Sequence, residues 1–218
     1  APTRITIMNI SDRIANLSPE KLALLQERLI KKGDAGVKKS RISPRQSTDP
    51  APLSFAQQRL WFLNQLEPDS PFNISIAVRL NGSLNVDALA QTLKAIVDRH
   101  PALRTTFAAV DEKLIQVIAP AQSVEFRTID LSHLSSEKCQ VDVDRILSAE
   151  PLRPFNLAAD LMLRATLIRL NEAEHILLLV MHHIASDGWS VGILFRELAS
   201  FYEGFAAGNP VVLPELSV

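Results

Sequence analysis

The chain has a single cysteine, Cys139, in 218 residues, so no intrachain disulfide can form and no thiol cluster is available to hold zinc. Neither sign of charge is in excess. With 23 Lys and Arg against 24 Asp and Glu, the formal net charge is −1, which offers no basic footprint to nucleic acid and little attraction to an anionic membrane surface. No apolar run approaches the ~20 residues needed to cross a bilayer, and no cleavable signal opens the sequence. There is no internal repeat or low-complexity tract. The expectation is a cytoplasmic protein that works without nucleic acid or membrane.

What the chain does have is apolar material, 47% of residues against 22% charged, enough for one sizeable core or two small ones. Its most apolar stretch runs from Ile176 to Met181, six residues with no polar face. That predicts a strand buried on both sides, at the centre of a sheet. The strand leads into His182-His183-Ile184-Ala185-Ser186-Asp187-Gly188-Trp189-Ser190, after which Val191, Leu194, Phe195, Leu198, Tyr202 and Phe205 recur at helical spacing. Ser190 or Asp187 caps that helix. The polar residues therefore lie where a strand edge meets a helix N-terminus, a common place for ligands and chemistry. Successive strand residues face opposite ways, so His182 and His183 cannot share one job.

Upstream, where the folded pattern begins at Leu53, the periodicities predict a short helix through Phe55, Leu60, Trp61, Leu63 and Leu66, a half-buried strand from Ile74 to Leu80, and a helix from Val86 to Val97 ended by Pro101. Strands follow near 103–109, 113–119 and 124–130. Residues 134–149 read as a helix, although Val141 and Val143 suit a strand equally well. Leu161 to Leu170 then forms a hairpin with the Ile176 strand. This order makes the fold α/β, an α+β mixed sheet with flanking helices. Residues 1–33 form an N-terminal helical segment, with Ser18-Pro19-Glu20 opening a helix over about 19–32 whose stripe is Leu22, Leu25 and Leu29. That helix packs on its own domain, belongs to a linker, or docks an upstream partner. Residues 34–52, basic and proline-rich, read as a flexible linker, and 53–218 as the folded domain.

Three stretches stand in a fixed order: Ser54-Phe55-Ala56-Gln57-Gln58-Arg59-Leu60-Trp61-Phe62-Leu63, then Arg99-His100-Pro101-Ala102-Leu103-Arg104-Thr105-Thr106-Phe107, then Met181-His182-His183-Ile184-Ala185-Ser186-Asp187-Gly188-Trp189-Ser190. In these motifs the chain resembles the condensation domains of nonribosomal peptide synthetases, which have the chloramphenicol-acetyltransferase-like fold. The variants present look most like the subtype that joins an L-donor to an L-acceptor. The resemblance covers about residues 53–218, and it implies the N-terminal lobe of a two-lobed domain that forms peptide bonds between carrier-bound thioesters.

The resemblance also implies roles. His183 is the catalytic or positioning imidazole, and the Gly188 N–H helps a developing oxyanion while its missing Cβ lets substrate approach. His182 fixes the loop, Asp187 pairs with Arg104 in a buried salt bridge, Trp189 packs, and Arg59 is structural. No cofactor is bound; phosphopantetheine arrives on donor and acceptor peptidyl carrier proteins, which are the partners together with the C-terminal lobe and neighbouring synthetase domains. No metal is expected, because adjacent strand histidines diverge. Ser186 is in no Gly-x-Ser-x-Gly elbow, so transfer is direct. The alternatives are a carrier-binding lobe without chemistry, or a coenzyme A-dependent acyltransferase of the same fold.

Overall fold

A computed structural model describes residues 50–68, 72–111, 113–120 and 122–216, all but Leu216 within a unit that runs from Ser47 to Glu215. The helix expected over 19–32 and most of the 34–52 linker lie outside the described residues.

The described chain opens with a two-residue strand, β1 (Ala51–Pro52). The first helix, α1 (Phe55–Leu66), starts where the sequence supplies a reciprocal cap: the Ser54 hydroxyl accepts from the Gln57 N–H, and the Gln57 side chain accepts from the Ser54 N–H. β2 (Asn73–Asn81) follows with the alternating burial its sequence predicts. Asn85 caps α2 (Val86–Arg99) through the Ala88 N–H. Pro101 then has no N–H with which to continue the helix, and a 3₁₀ turn, Pro101–Arg104, takes over. β3 (Thr105–Val110), β4 (Lys113–Ile118), β5 (Glu125–Asp130) and α3 (Ser136–Ala149) come next. β6 (Leu163–Asn171), β7 (Glu174–His182) and α4 (Gly188–Ala206) complete the chain order. The ambiguous 134–149 stretch is helical because Val143 and Ile146 share one buried face, while Val141 stands 63% exposed.

The single expected sheet is in fact two. β2-β7-β6-β5 form the larger, with β5 parallel to β6 and the other pairs antiparallel. β3 and β4 close on each other as a hairpin and leave that sheet, joined by the short β1. The last residues of the stretch expected to be a linker are thus an edge strand, where a proline has no ladder N–H to lose.

β7 lies inside the larger sheet, and both of its faces are covered. Leu177, Leu179 and Met181 pack against Leu89, Leu93, Ile96 and Val97 of α2 and Leu194 and Phe201 of α4. On the other face Leu178 and Val180 meet Phe107, Phe155, Leu157 and Met162. At the far end Val143 and Ile146 of α3 cover Ile168 and Ile176. This two-sided burial explains why the strand carries no polar residue from Ile176 until it emerges at its C-terminal end.

Candidate functional site

β7 delivers the two histidines to opposite sides, as its pleat requires. His182 is 1% exposed, on the face of Leu178 and Val180. Its Nδ1 accepts from the Ile184 N–H at 3.1 Å, so in the neutral ring the proton sits on Nε2, which has no partner among the described residues. Phe155 meets it edge to face at 5.9 Å, and the Arg164 guanidinium carbon lies 3.8 Å from the centre of the Phe155 ring. Burial, reinforced by the positive charge of His183 and Arg164, pushes the pKa of His182 down to about 4. His182 is a neutral ring that fixes the loop.

The loop folds back over this ring. The His182 carbonyl accepts from the Ala185 N–H at 3.1 Å and from the buried Ser186 hydroxyl at 3.0 Å. The His183 N–H is tied to the Phe72 carbonyl at 2.8 Å. With its backbone so held, His183 points its exposed ring the other way, and Nδ1 lies 2.7 Å from the Ser186 carbonyl. A carbonyl only accepts, so Nδ1 carries the proton and Nε2 keeps a lone pair when the ring is neutral. Ser186 is thus the residue that sets the tautomer of His183. Sequence reading missed this role, because a backbone carbonyl leaves no mark on residue type.

His183 borders an open cavity of about 690 Å³ whose wall includes Arg59, Leu60, Leu63, Phe72 and Ser186. Arg59, expected to hold structure, is instead exposed, forms no ion pair among the described residues, and lines the cavity, because its turn of α1 faces outward while Asn64 faces in. No three His, Cys, Asp or Glu side chains gather as a metal ion would need, among the described residues.

The buried Asp187–Arg104 pair does not form. Asp187 is exposed and is the N-cap of α4: its carboxylate accepts from the Ser190 N–H at 2.8 Å, and the Ser190 hydroxyl receives the Asp187 N–H at 2.7 Å. Ser190, the other capping candidate, is the third helical residue. The hydrogen bonds that the carboxylate accepts from the Ser190 N–H and, at 2.9 Å, from the Ser190 hydroxyl hold the Asp187 carboxyl below its usual pKa. Arg104 still serves structure, but with a different partner: its Nη1 donates to the Ala119 carbonyl at 2.7 Å, tying the 3₁₀ turn to the end of β4. The expected cost of Asp187→Ala is therefore that of a lost cap, a drop of a few degrees in melting temperature by calorimetry, with Asp187→Asn close to the parent.

Trp189, expected to pack, is 84% exposed, because the buried stripe of α4 runs through Leu194 and Phe201 and leaves its second residue on the outside. Gly188 is the first residue of α4, and a Cβ added there would meet no neighbouring element within 4 Å. It adjoins Asp187 and lies outside the cavity lining, so the expected close approach at its backbone has no wall to form it among the described residues.

A proton-accepting nitrogen, fixed in tautomer at a strand–helix junction above an open cavity, defines a site equipped for acid–base assistance to group transfer. The protein belongs to the condensation-domain family, whose description "Condensation domain" matches residues 47–217. It is 47% identical over 167 residues to a linear gramicidin synthase of Brevibacillus parabrevis, covering 76% of this chain and 2% of that protein. Phosphinothricin tripeptide synthetase PhsC of Streptomyces viridochromogenes is 36% identical over 213 residues, 96% of this chain and 19% of the relative. Among solved structures, the X-domain from teicoplanin biosynthesis superposes with a TM-score of 0.73 at 30% identity, covering 81% of this chain and 37% of that one. The starter condensation domain of rhizomide synthetase RzmA, 24% identical with a TM-score of 0.70, shares the fold over 76% of this chain and 40% of its own. The fold is accordingly the chloramphenicol-acetyltransferase-like fold of condensation domains. The chain spans well under half the length of each of these relatives.

Proposed function

We propose that this chain is the N-terminal lobe of a condensation domain and supplies the assisting imidazole for peptide-bond formation between two carrier-bound thioesters. The observation that carries the proposal is His183, which borders the cavity and whose Nδ1–H is held by the Ser186 carbonyl, leaving Nε2 as the proton-accepting nitrogen. An acceptor aminoacyl thioester presents its α-amine to Nε2, and the amine nitrogen attacks the donor thioester carbonyl. The C–N bond forms as the C–S bond breaks. The proton lost by the amine passes to Nε2 and on to the departing thiolate, which leaves His183 neutral for the next turnover.

Positioning adds to this assistance, since both thioesters must meet in line. Each arrives on a phosphopantetheine arm of a donor or acceptor carrier protein, with the second lobe of the domain closing the site beside neighbouring synthetase domains. Ser186, His182 and Phe72 hold the imidazole, and the capped start of α4 fixes the loop's exit. In the test, the complete synthetase is given loaded donor and acceptor carriers and the acceptor carrier is followed by intact mass. Condensed product on that carrier is expected; carriers that keep their original masses refute the proposal.

One observation favours a second reading, a lobe that binds partner proteins without chemistry: the teicoplanin X-domain, 29% identical to this chain, is solved as a complex with OxyB. Under that reading the loaded carriers bind the synthetase and stay unreacted, so the same mass measurement separates the two.

A further inference from the structure

We propose that Asn73 and Arg164 are positioning residues for His183, an inference that rests on the condensation reading above: they clamp residues 151–155 so that Phe155 pins the His182 ring under the loop. Neither residue belongs to the three ordered stretches of the sequence. They stand on β2 and β6, the two neighbours of β7. Asn73 pairs with His182 across one ladder and Arg164 with Val180 across the other, so both side chains rise from the sheet face that carries His182.

Residues 151–155 read Pro-Leu-Arg-Pro-Phe. The two prolines have no N–H to give a ladder, and Arg153, which precedes the second, is extended with φ −68° and ψ 120°. Side chains from the sheet hold this segment by its carbonyls instead. Asn73 Nδ2 donates to the Pro151 carbonyl at 2.8 Å and to the Arg153 carbonyl at 3.0 Å. Arg164 Nη2 donates to the same Arg153 carbonyl at 2.6 Å, and its Nη1 to the Pro154 carbonyl at 3.0 Å. Phe155 follows at once, its ring stacked by the guanidinium and edge to face with His182. Arg164 is buried and has no carboxylate partner among the described residues. An apolar side chain would fill this face without the cost of desolvating a cation. What the guanidinium adds is its grip on two carbonyls and one ring.

The grip matters because His182 is anchored at one nitrogen only. Its Nδ1 accepts from the Ile184 N–H and its Nε2 has no partner among the described residues, so the orientation of the ring rests on Phe155. If Phe155 backs away, the ring is free to turn and Nδ1 leaves the Ile184 N–H. Ile184 lies in the loop between His183 and Ser186, whose carbonyl fixes the His183 tautomer. Slack at Phe155 therefore reaches the imidazole.

The test gives the complete synthetase loaded carriers and takes two readouts. Arg164→Met and Asn73→Ala lower kcat for amide formation about tenfold to a hundredfold, while KM for either carrier stays within about twofold, since neither side chain lines the cavity. Arg164→Lys, which keeps the charge but cannot hold both carbonyls in one fork, recovers part of kcat. The second readout is acylation by diethyl pyrocarbonate, which marks accessible neutral imidazoles, located by peptide fragmentation. In the parent the exposed His183 is labelled and the buried His182 is protected. In the variants His182 labelling rises at least about tenfold through local opening, while His175, buried at the opposite end of β7, stays protected. Asn73 is half-buried on an edge strand, so Asn73→Ala decides the matter if Arg164→Met unfolds. The proposal is overturned if folded variants keep kcat within about twofold of the parent. It is equally overturned if His182 stays protected in them, or if His175 is labelled along with His182, which would make the clamp a general support of the fold. A parent that forms no amide refutes the condensation reading alone; the His182 labelling in the variants still decides the clamp.

Discussion

Replacing His183 with alanine in the complete synthetase is expected to lower the rate of amide formation by about 10²- to 10⁴-fold, the usual worth of positioned acid–base assistance. Fold stability is expected to stay within about 0.5 kcal/mol of the parent, as for other exposed positions. The two expectations separate because of how the site is built. Apart from the Nδ1–H bond of His183 to the Ser186 carbonyl, the loop is held by backbone, Ser186 and His182: the Ser186 hydroxyl and the Ala185 N–H both hold the His182 carbonyl, and the His183 N–H holds Phe72. The His183 ring itself is exposed and takes no part in any of the three core clusters. Alanine therefore removes Nε2 and leaves its platform standing. The measurement pairs single-turnover mass spectrometry of loaded carriers with thermal melts of parent and variant. Parental turnover in a folded His183→Ala protein would end the assignment; a variant that loses activity only by unfolding would make His183 a structural residue.

Most of what positions this imidazole is legible in the sequence, and the reasons are local. Ile176 to Met181 can only be a two-sided strand, so the opposite fates of His182 and His183 follow from the pleat alone. The Val191 to Phe205 periodicity marks α4, and its start falls at the polar loop. What stays hidden depends on distance in the chain. The departure of β3 and β4 into a second sheet is a choice between partners that no single strand's pattern records. Asp187 and Arg104 could pair in principle, but a helix cap made by a side chain three residues away competes with any distant partner, and the local bond wins. The exposure of Arg59 and Trp189 has the same origin: an apolar or basic residue in a strong motif says nothing about which side of its helix faces the core. The tautomer of His183 rests on a main-chain carbonyl, which is the same atom whatever residue stands at position 186.

His182 should make the fold lose stability in acid between about pH 6.5 and 4. In the unfolded chain its imidazole has the ordinary pKa of 6.5, whereas in the folded protein burial, with His183 and Arg164 nearby, holds it down to about 4. Above pH 6.5 both states carry a neutral ring and the difference contributes nothing. As the pH falls below 6.5 the unfolded chain takes up a proton that the folded one refuses, so the equilibrium moves towards unfolding by up to about 1.4 kcal/mol per pH unit. Once the folded ring also titrates, near pH 4, the loss levels off at about 3 kcal/mol. Carboxylates elsewhere titrate in the lower part of this window, so the decisive comparison is between proteins. Urea melts at about pH 7 and about pH 4.5 should show a larger drop for the parent than for His182→Asn, whose side-chain oxygen can still accept from the Ile184 N–H. A direct reading comes from nitrogen chemical shifts of labelled imidazole in the folded protein. His182 should hold its proton on Nε2 and remain neutral at about pH 5, a point where an ordinary histidine is almost fully charged. A ring that titrates near 6.5 would mean that water reaches Nε2 and that the packing of Phe155 against it, with Arg164 stacked on Phe155, is looser than the distances indicate.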